Sequence, residues 1–533
     1  MIPLYVPVLL PIVVAALCFL VPRRVYHALL LTAQGVQTAF VIEVFIRMRR
    51  TGPIVEYIGS WPTGIGLALK ADDVSGVLML LTAVIFLCLF VFNTRKQYMN
   101  NIFQFLFITL QSVTIALFLS GDVFNVYVLT ELGMIMVSIL IMYKQDKQTL
   151  YDGVVFFMVN MVGMSFYLLG IGLLYKTVGT LDIAAIGERI MLIEDPRAVL
   201  LPFALLVTGV GVKAAIFPLF SWLPHAHGAH SAPSIVSAAL SGIQVKTGVY
   251  LLIRFNAMFA PVFDTGPFFV VIGFVTAVVG FTAALAEDDL KLLLAYSTVS
   301  QIGLIVFGLN AGTETAYWGG LLHIVNHALF KALLFITAGL IVKKYGTRKI
   351  TDIRGVFLRM PIVAVASIMA VFGIAGVPFF NGSISKYLIE SGVGGRWGGA
   401  ALILMNLGTI TVFVKFAAVY FGRSDGEKFR PDIFTGGVAL LMGLACLAIG
   451  LASPFVIRVL FAQDLAIGGA YEPDKALVFL GTLAVAVAVY HGIARLPAVT
   501  AWLRSKKLRF NSIALSITLF FATFASYLYV TAL

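Results

Sequence analysis

The chain has 533 residues, a formal net charge of +12, 60% hydrophobic and 12% charged residues, and a mean hydropathy of +1.00. This composition excludes an ordinary soluble globular protein and indicates an all-α polytopic membrane protein. The sequence contains no dinucleotide-binding glycine loop, no phosphate loop and no nucleophile elbow. We therefore expect no covalent catalysis in this chain.

Apolar stretches of about 20 residues, the length that crosses a hydrocarbon core, recur along the whole chain. The first stretch lacks a preceding basic region and is followed by Arg23 and Arg24, which favours a retained span over a cleaved signal peptide. We predict about 14–16 transmembrane helices. The fuller count places spans near 3–22, 26–46, 74–94, 102–120, 122–143, 151–176, 199–222, 232–254, 266–286, 292–310, 315–342, 360–391, 400–422, 434–460, 474–494 and 510–532.

Basic residues indicate how these spans are oriented. Loops after odd-numbered spans carry about twice as many Lys and Arg residues as loops after even-numbered spans, and basic residues accumulate in cytoplasmic loops. We therefore predict a multi-pass protein of the cell (inner) membrane with both termini on the non-cytoplasmic side. Topology then accounts for the positive charge, and we expect no nucleic-acid partner.

The predicted spans fall into four segments, of which the middle two have similar lengths. The segments are N-terminal helices at 1–101, a first inverted repeat of spans four to eight at 102–257, a second of spans nine to thirteen at 258–425, and C-terminal helices at 426–533. Each middle segment contains an apolar helix interrupted by proline, at Pro218 and at Pro378. Paired broken helices are typical of inverted-repeat transporters and their ion sites.

Five lysines lie inside apolar stretches, where an ammonium costs at least ~2.5–3.5 kcal/mol on insertion scales. They are Lys213, Lys246, Lys331, Lys386 and Lys415. Such residues usually face a partner or water and mark an ion path. Lys213 precedes Pro218 by five residues and Lys386 follows Pro378 by eight. Each ammonium thus lies within about two helical turns of disrupted backbone, where it can be hydrated.

Glu131 lies in the fifth span, where a buried carboxylate needs a cationic partner. Lys213 is the candidate partner. A proton or cation arriving near Lys213 would weaken this pairing, and a desolvated lysine would then release its proton onward. The alternative is a static pair that holds spans five and seven together.

Onward transfer requires a line of titratable groups, and the middle of the chain contains one. His323, His327 and Lys331 are spaced four residues apart, so they lie on one stripe of span eleven, and Lys246 lies in span eight. Histidine is the side chain best suited to move protons near neutral pH. These residues predict a hydrated relay, and passive packing of the histidines is the alternative.

Lys415 in span thirteen is a candidate for an exit path, although a lysine near a helix end often only extends toward the membrane surface. The three cysteines are isolated in apolar runs, without a CxxC pair. We therefore expect no metal site and no cofactor in this chain.

Several stretches together resemble a known family, the antiporter-like subunits of Mrp-type cation/proton antiporters, respiratory complex I and membrane-bound hydrogenases. The resemblance covers roughly residues 70–425. It rests on Gly121-Asp122-Val123-Phe124-Asn125 leading to Glu131, Gly211-Val212-Lys213 through Pro218 and Trp222-Leu223-Pro224, Lys246-Thr247-Gly248-Val249-Tyr250, 295–303, His327-Ala328-Leu329-Phe330-Lys331-Ala332-Leu333, and Pro378 through Asn381-Gly382 to Ser385-Lys386.

The resemblance implies a coupling pair, a central relay and a guard of the second half-channel. By position these roles fall on Glu131 and Lys213, on Lys246, His323, His327 and Lys331, and on Lys386. The stretch 122–125 and the lysine at 386 are most similar to the Mrp D subunit and its hydrogenase counterparts. The family core has about fourteen spans. The two spans after residue 470 exceed it and are candidates for contact with a neighbouring subunit.

We therefore expect a proton-translocating subunit of a larger membrane complex, most similar to a Mrp-type Na⁺(cation)/H⁺ antiporter. Its expected partners are H⁺ and Na⁺, other membrane subunits including further antiporter-like ones, and the lipid bilayer. One alternative is an ion-pumping subunit of a redox-driven complex of the NADH:quinone oxidoreductase or membrane-bound hydrogenase type. A second alternative is a structural subunit with an inactive channel.

Overall fold

The computed structural model describes residues 2–60, 66–94, 96, 98–228, 232–423, 427–505 and 512–532. This part of the chain consists of α-helices, short 3₁₀ and π turns, and one β-hairpin. The strands are β1 (Ile54–Tyr57) and β2 (Ala68–Ala71), which pair antiparallel. The helices of the first half are α1 (Val6–Leu17), α2 (Arg23–Thr51), α3 (Asp73–Phe92), α4 (Asn101–Leu119), α5 (Val123–Ile141), α6 (Lys147–Val178), α7 (Ile183–Ile190), α8 (Leu200–Ala214), α9 (Trp222–Gly228), α10 (Ser234–Ala239) and α11 (Val245–Phe259). Those of the second half are α12 (Gly266–Ala286), α13 (Leu290–Leu309), α14 (Glu314–Tyr345), α15 (Val356–Arg359), α16 (Pro361–Ala375), α17 (Asn381–Gly392), α18 (Gly395–Ala417), α19 (Ile433–Leu451), α20 (Ser453–Phe461), α21 (Pro473–Val489), α22 (Pro497–Ser505) and α23 (Ile513–Thr531).

In the described residues, 14 helical segments are long and apolar enough to cross a membrane. The shorter apolar helices α1 and α16 bring the crossings to the fuller predicted count. One crossing joins α10 and α11 through the π-helix Leu240–Gln244, and another continues from α16 into α17. The prediction of an all-α polytopic membrane protein is confirmed.

Contacts between loops show that successive crossings alternate in direction. Loops after even-numbered crossings meet on one face, where Asn256 Nδ2 donates to Asn310 Oδ1 at 3.1 Å. The first residues join this face through Leu4 N and Glu56 Oε2 at 2.6 Å. The last helix joins it through Tyr527 Oη, which donates to the Asp264 carbonyl oxygen at 2.8 Å. We call this the terminal face, because both described ends of the chain lie there, and we call the other side the opposite face.

Two five-crossing units share a repeated local structure. Helices α6 and α14 each have 32 residues, and both end at a left-handed glycine, Gly179 with φ 68° and Gly346 with φ 69°. The residue that caps α5, Asp122, forms a β-bridge with Asp182, and the residue that caps α13, Asp289, forms one with Lys349. The two bridges are offset by 167 residues, from 122 to 289 and from 182 to 349.

The units are inverted with respect to each other because five crossings, an odd number, separate these equivalent points. The Asp122 bridge lies on the terminal face, and the Asp289 bridge lies on the opposite face. Each unit also contains one broken helix, formed by α8 and α9 in the first unit and by α16 and α17 in the second.

Two crossings form the centre of the molecule. Every residue from Ile235 to Leu252 is buried, as is almost all of α14 from Trp318 to Ile341. Apolar side chains fill most of this centre, so the lysines and histidines that it contains must be satisfied by other protein groups or by water.

An ion pair on the terminal face ties the β-hairpin to α11. Arg254 donates to Asp72 at 2.5 Å, and Asp72 also caps α3 through the Ser75 amide at 3.1 Å. Burial alone would raise the pKa of Asp72, but Arg254 and the Ser75 amide outweigh burial and lower this pKa to about 2. The pair therefore stabilises the fold above the ordinary aspartate pKa and loses this effect as the pH falls through about 2.

We expect Arg254→Ala to lower the free energy of unfolding by about 2 kcal/mol at neutral pH, because it leaves a largely buried carboxylate with only the weaker partner Lys70, at 3.6 Å. The thermal midpoint of the purified protein measures this loss. The matched control is Arg458→Ala, which removes an exposed ion pair with Asp464 and should leave the midpoint unchanged. Equal midpoints for the two variants would contradict the prediction.

The last two crossings pack on the repeat units. Helix α21 lies against α18, the short helix α22 lies against α12, and α23 lies against α8. Phe524 of α23 contacts Phe203 of α8 and Phe268 of α12, with ring centroids 5.5 Å and 4.9 Å apart. Helix α23 therefore covers the seam between the two units.

Candidate functional site

The first broken helix places a charged side chain beside irregular backbone. Helix α8 ends at Ala214, Ala215 has a positive φ of 54°, and helical structure resumes at Trp222. Pro218 lies within this interruption. The Trp222 indole donates to the Val212 carbonyl oxygen at 2.8 Å, so a carbonyl near the end of α8 has a protein partner.

Lys213 lies in the last turn of α8 and is 5% exposed, whereas Glu131 on α5 is half-buried. The two charges interact electrostatically. However, none of the ion pairs within 4.0 Å in the described part of the chain joins them. Glu131 lies beside Val128 and Leu132, which are exposed on the outer face of α5. The carboxylate therefore lies on a partly exposed side of α5 and forms no direct ion pair with Lys213.

At the centre of the molecule, Lys246 and His327 are in contact. The Lys246 Nζ atom lies 2.5 Å from His327 Nδ1 and also donates to the Ser241 carbonyl oxygen. Ser241 belongs to the π-helix, and its carbonyl oxygen lies five residues before Lys246 in the sequence. Two nitrogen atoms at this distance can share one proton, because an ammonium donates to the lone pair of a neutral imidazole.

His323 continues this line toward α17. Its Nδ1 atom lies 2.8 Å from Ser385 Oγ, and its Nε2 atom lies 3.0 Å from Gln301 Oε1. The rings of His323 and His327 have centroids 6.5 Å apart. Both ring nitrogens of His323 therefore have partners, one of which lies on the second broken helix.

Lys331, the third residue of the predicted stripe, turns toward α13. Its Nζ atom donates to the Leu294 carbonyl oxygen at 3.0 Å and to Ser297 Oγ at 2.5 Å. It also lies over the Phe413 ring, 5.7 Å from the centroid. Lys331 is thus close to the relay residues in sequence, but its hydrogen-bond acceptors lie on a different helix, α13.

In the second broken helix, a lysine donates hydrogen bonds to the backbone carbonyl oxygens at the end of the first helical piece. Helix α16 ends at Ala375, and the segment with Pro378 contains positive φ values at Gly376 and Phe379. Lys386 Nζ donates to the carbonyl oxygens of Ile374 and Ala375 at 3.0 and 3.3 Å. A lysine at these carbonyls complements the negative end of the α16 dipole. A cavity of about 110 Å³ adjoins Lys386 and Pro378.

Lys415 lies at the opposite face rather than beside the relay. Its Nζ atom donates to the Leu285 carbonyl oxygen at 2.8 Å and pairs with Asp288 at 3.3 Å. The structure therefore places this candidate exit residue at the end of a crossing, in contact with a charged loop.

Two buried groups escaped the sequence interpretation. His227 is completely buried, and both of its ring nitrogens lack a hydrogen-bond partner among the described residues. It interacts electrostatically with Lys331 and Lys246. The sequence feature that could have identified His227 is its position two residues after His225, in a segment interrupted by proline. Lys291 is 5% exposed and donates to the Ala232 carbonyl oxygen at 3.2 Å, although its acidic neighbours in sequence suggested a loop.

The first broken helix and the relay are joined by close backbone packing at Gly248. A Cβ atom at this position would lie 2.7 Å from the Lys213 carbonyl carbon and 2.7 Å from Ala214 Cα. Only a residue without Cβ lets α11 approach the end of α8 this closely. Lys246 lies on the same helix two residues earlier, so this contact fixes its position relative to Lys213.

We expect Gly248→Ala to push α8 and α11 apart and to lower both the thermal midpoint and the transport rate, because backbone rather than a flexible side chain must move. The matched control is Gly172→Ala on α6, where a Cβ atom meets open space. There the substitution should be neutral or slightly stabilising, since alanine favours helix more than glycine does. Wild-type behaviour of Gly248→Ala would contradict the predicted contact.

Comparison with known proteins agrees with this arrangement. Residues 120–413 match the family described as NADH:quinone oxidoreductase/Mrp antiporter, transmembrane. The antiporter subunit mnhD2 of Staphylococcus aureus strain Mu3 is 30% identical over 474 residues, which cover 86% of this chain and 94% of the relative. A relative of the same name from Staphylococcus epidermidis strain ATCC 35984 is 30% identical over 470 residues, covering 85% and 93%.

Solved structures have the same fold. A chain of an archaeal membrane-bound sulfane sulfur reductase superposes with a TM-score of 0.80 at 25% identity, covering 89% of this chain and 99% of its own. A chain of the Mrp complex from Dietzia sp. DQ12-45-1b gives 0.79 at 21% identity, covering 91% and 100%. One from Thermus thermophilus respiratory complex I gives 0.76 at 23%, covering 88% and 100%. The chain therefore belongs to the NADH:quinone oxidoreductase/Mrp antiporter transmembrane family.

Proposed function

We propose that this chain is the proton-translocating antiporter-like subunit of a multisubunit Mrp-type Na⁺(cation)/H⁺ antiporter. The observation that supports this best is the buried contact between Lys246 and His327, which connects the two repeat units at the centre of the molecule. The names of the relatives support the antiporter assignment.

The proposed transfer begins at the first broken helix. A proton reaches Lys213 through hydrated backbone at the interruption, and Glu131 modulates how firmly the ammonium is held. A shift of Glu131 toward Lys213 stabilises the protonated lysine, and a shift away favours release of its proton toward Lys246. The half-buried position of Glu131 at the outer face of α5 supports such movement.

The central step is an exchange between Lys246 and His327. Lys246 passes a proton to His327 Nδ1, and the imidazolium then loses the proton from its other nitrogen, Nε2, which has no protein partner among the described residues. Water adjoining Nε2 would carry the proton toward His323 and Ser385. Lys331 adds positive charge nearby, which discourages a second proton from remaining on the pair.

Release occurs at the second broken helix. Lys386 takes up the proton from the direction of Ser385, and the cavity beside Pro378 provides space for water. In its protonated form the lysine is held by the α16 carbonyl oxygens. Lys415 at the opposite face belongs to a candidate exit path for this unit.

The remaining assignments follow from topology and composition. We place the chain in the cell (inner) membrane with the basic opposite face in the cytoplasm and both termini outside. Its partners are other membrane subunits, including further antiporter-like ones, together with H⁺, Na⁺ and the surrounding lipid. We assign no cofactor to this chain.

Cation-driven proton flux in proteoliposomes that contain the purified complex tests this function. A Na⁺ gradient imposed across the vesicles should change the internal pH, reported by a trapped dye, only when this chain is present. The same flux from a complex whose chain carries the Lys246→Met substitution would indicate a structural subunit with an inactive channel.

A redox-driven complex is the second candidate, favoured by the likeness to a sulfane sulfur reductase chain at 25% identity. The visible absorption spectrum and metal content of the complex purified in mild detergent separate the two candidates. Flavin or iron–sulfur absorbance would assign the chain to a redox pump, and its absence with several small membrane subunits would support the antiporter.

A further inference from the structure

A large cavity on the opposite face includes Lys415, the candidate exit residue, in its lining, but its other residues have no role in the proposed transfer path. Its volume is about 690 Å³, within the range of ~300–1,000 Å³ typical of ligand sites. Four segments that are distant in sequence surround it: the loop before α13, the loop after α14, the end of α18, and the segment from the end of α21 through α22.

The side chains lining this cavity carry a strong excess of positive charge. Among the described residues that line the cavity, four have a lysine or arginine side chain, Arg354, Lys415, Arg495 and Arg504, and one has a carboxylate, Asp288. Asp288 is shared between Lys415, at 3.3 Å, and Arg504. A further acidic residue, Glu287, acts on Lys415 from beside the cavity.

Arg354 and Arg495 have no ion-pair partner within 4.0 Å in the described part of the chain. Arg354 is held in place by its donation to the Ile350 and Ile353 carbonyl oxygens at 2.6 and 2.7 Å. Both guanidinium groups interact electrostatically with Tyr490. Arg354, Tyr490 and Arg495 line the same cavity, and a tyrosine hydroxyl with two guanidinium groups suits an anion with several acceptor oxygens.

The position of the cavity at the membrane boundary indicates where such an anion would come from. It lies near the ends of the crossings formed by α13, α14, α18 and α21, and α22 forms one wall through Thr500, Ala501 and Arg504. Beside that wall, Leu496 and Trp502 are 47% and 61% exposed. An amphipathic helix with an exposed tryptophan and inward-facing basic groups is typical of the lipid headgroup region.

We propose that this cavity binds the phosphodiester headgroup of an anionic phospholipid. The headgroup phosphate accepts hydrogen bonds from Arg354, Arg495 and the Tyr490 hydroxyl, and its acyl chains run along the exposed apolar face of α21. Anionic lipids are concentrated in the cytoplasmic leaflet, the side on which we place this face.

The test uses the purified complex in mild detergent and follows its thermal midpoint during titration with short-chain phosphatidylglycerol. The comparison probes are phosphatidylcholine of the same chain length and inorganic phosphate. A ligand that binds only the folded protein raises the midpoint with concentration. We expect phosphatidylglycerol to act at concentrations at least tenfold lower than either comparison probe.

The double variant Arg354→Gln/Arg495→Gln should weaken the response to phosphatidylglycerol at least tenfold. The matched control, Lys428→Gln/Arg430→Gln, removes the same charge from exposed positions in the loop before α19 and should respond like the wild type. If the first double variant does not fold, Ala501→Trp keeps every charge, fills the cavity from an exposed helix, and should abolish the response.

Four results would overturn the assignment. Equal responses to phosphatidylglycerol and phosphatidylcholine would exclude recognition of negative charge. An equal response to inorganic phosphate would assign the cavity to a soluble anion. Loss of the response in the matched control, or its retention in Ala501→Trp, would show that general surface charge rather than the cavity attracts the lipid.

Discussion

Replacing Lys246 with methionine will reduce cation-driven proton flux by about 100-fold, within the range that a positioned proton-transfer group contributes. Methionine fills a similar volume but carries no proton, and it leaves His327 Nδ1 without its donor at 2.5 Å. Because Lys246 is 1% exposed and lies on a central helix, no neighbouring side chain of this chain takes its place easily. Proteoliposomes with a trapped pH dye measure the flux.

The control for Lys246→Met is Lys176→Met, which removes an exposed lysine near the terminal face and should transport at the wild-type rate. A thermal midpoint within a few degrees of the wild type would show that the variant folds. The companion variant His327→Gln keeps a polar group at the contact but cannot accept and release a proton near neutral pH. Wild-type flux in either relay variant would refute the proposed path.

Glu131→Gln and Lys213→Met will each lower the flux by about tenfold or more, and the double variant will be little worse than either single one. Residues that act as one unit lose their joint effect when either is removed. The structure holds the two charges beyond 4.0 Å but electrostatically coupled. We therefore expect the coupling to be functional rather than a source of stability, and the thermal midpoints should change little.

A double-mutant cycle on initial flux rates provides the measurement. The control cycle uses Arg458→Met and Asp464→Asn, an exposed ion pair at 2.7 Å, which should affect neither flux nor stability. Strictly additive losses in the Glu131 and Lys213 cycle would show that the two residues act independently. A large fall in thermal midpoint would favour the static pair that holds spans five and seven together.

Membrane physics made much of this fold predictable from sequence. Apolar length alone located the crossings, since a span needs about 20 apolar residues whatever its partners are. The prolines at 218 and 378 lie in non-helical segments because they can neither donate a backbone hydrogen bond nor fit a regular helix interior. The equivalence of the Asp122 and Asp289 bridges was not predictable, because the residues that form a bridge contribute backbone rather than side-chain atoms.

The candidate site was predictable in its members but less so in its contacts. A lysine in an apolar run stands out by charge, so Lys246 and Lys386 were identified without a structure. The sequence spacing that placed Lys331 on one stripe with His327 says nothing about side-chain direction, and Lys331 turns to Ser297 on another helix. His227 was missed because a histidine outside a regular span resembles a loop residue until its burial is known.

Helix α23 has a mechanical consequence for how transport proceeds. Its aromatic side chains contact Phe203 in one repeat unit and Phe268 in the other, so α23 links the two units across their seam. Rigid-body rocking of one half against the other would have to separate these rings and expose them. We therefore expect charge to move through small rearrangements of side chains and water, while the helices of the two units keep their relative positions.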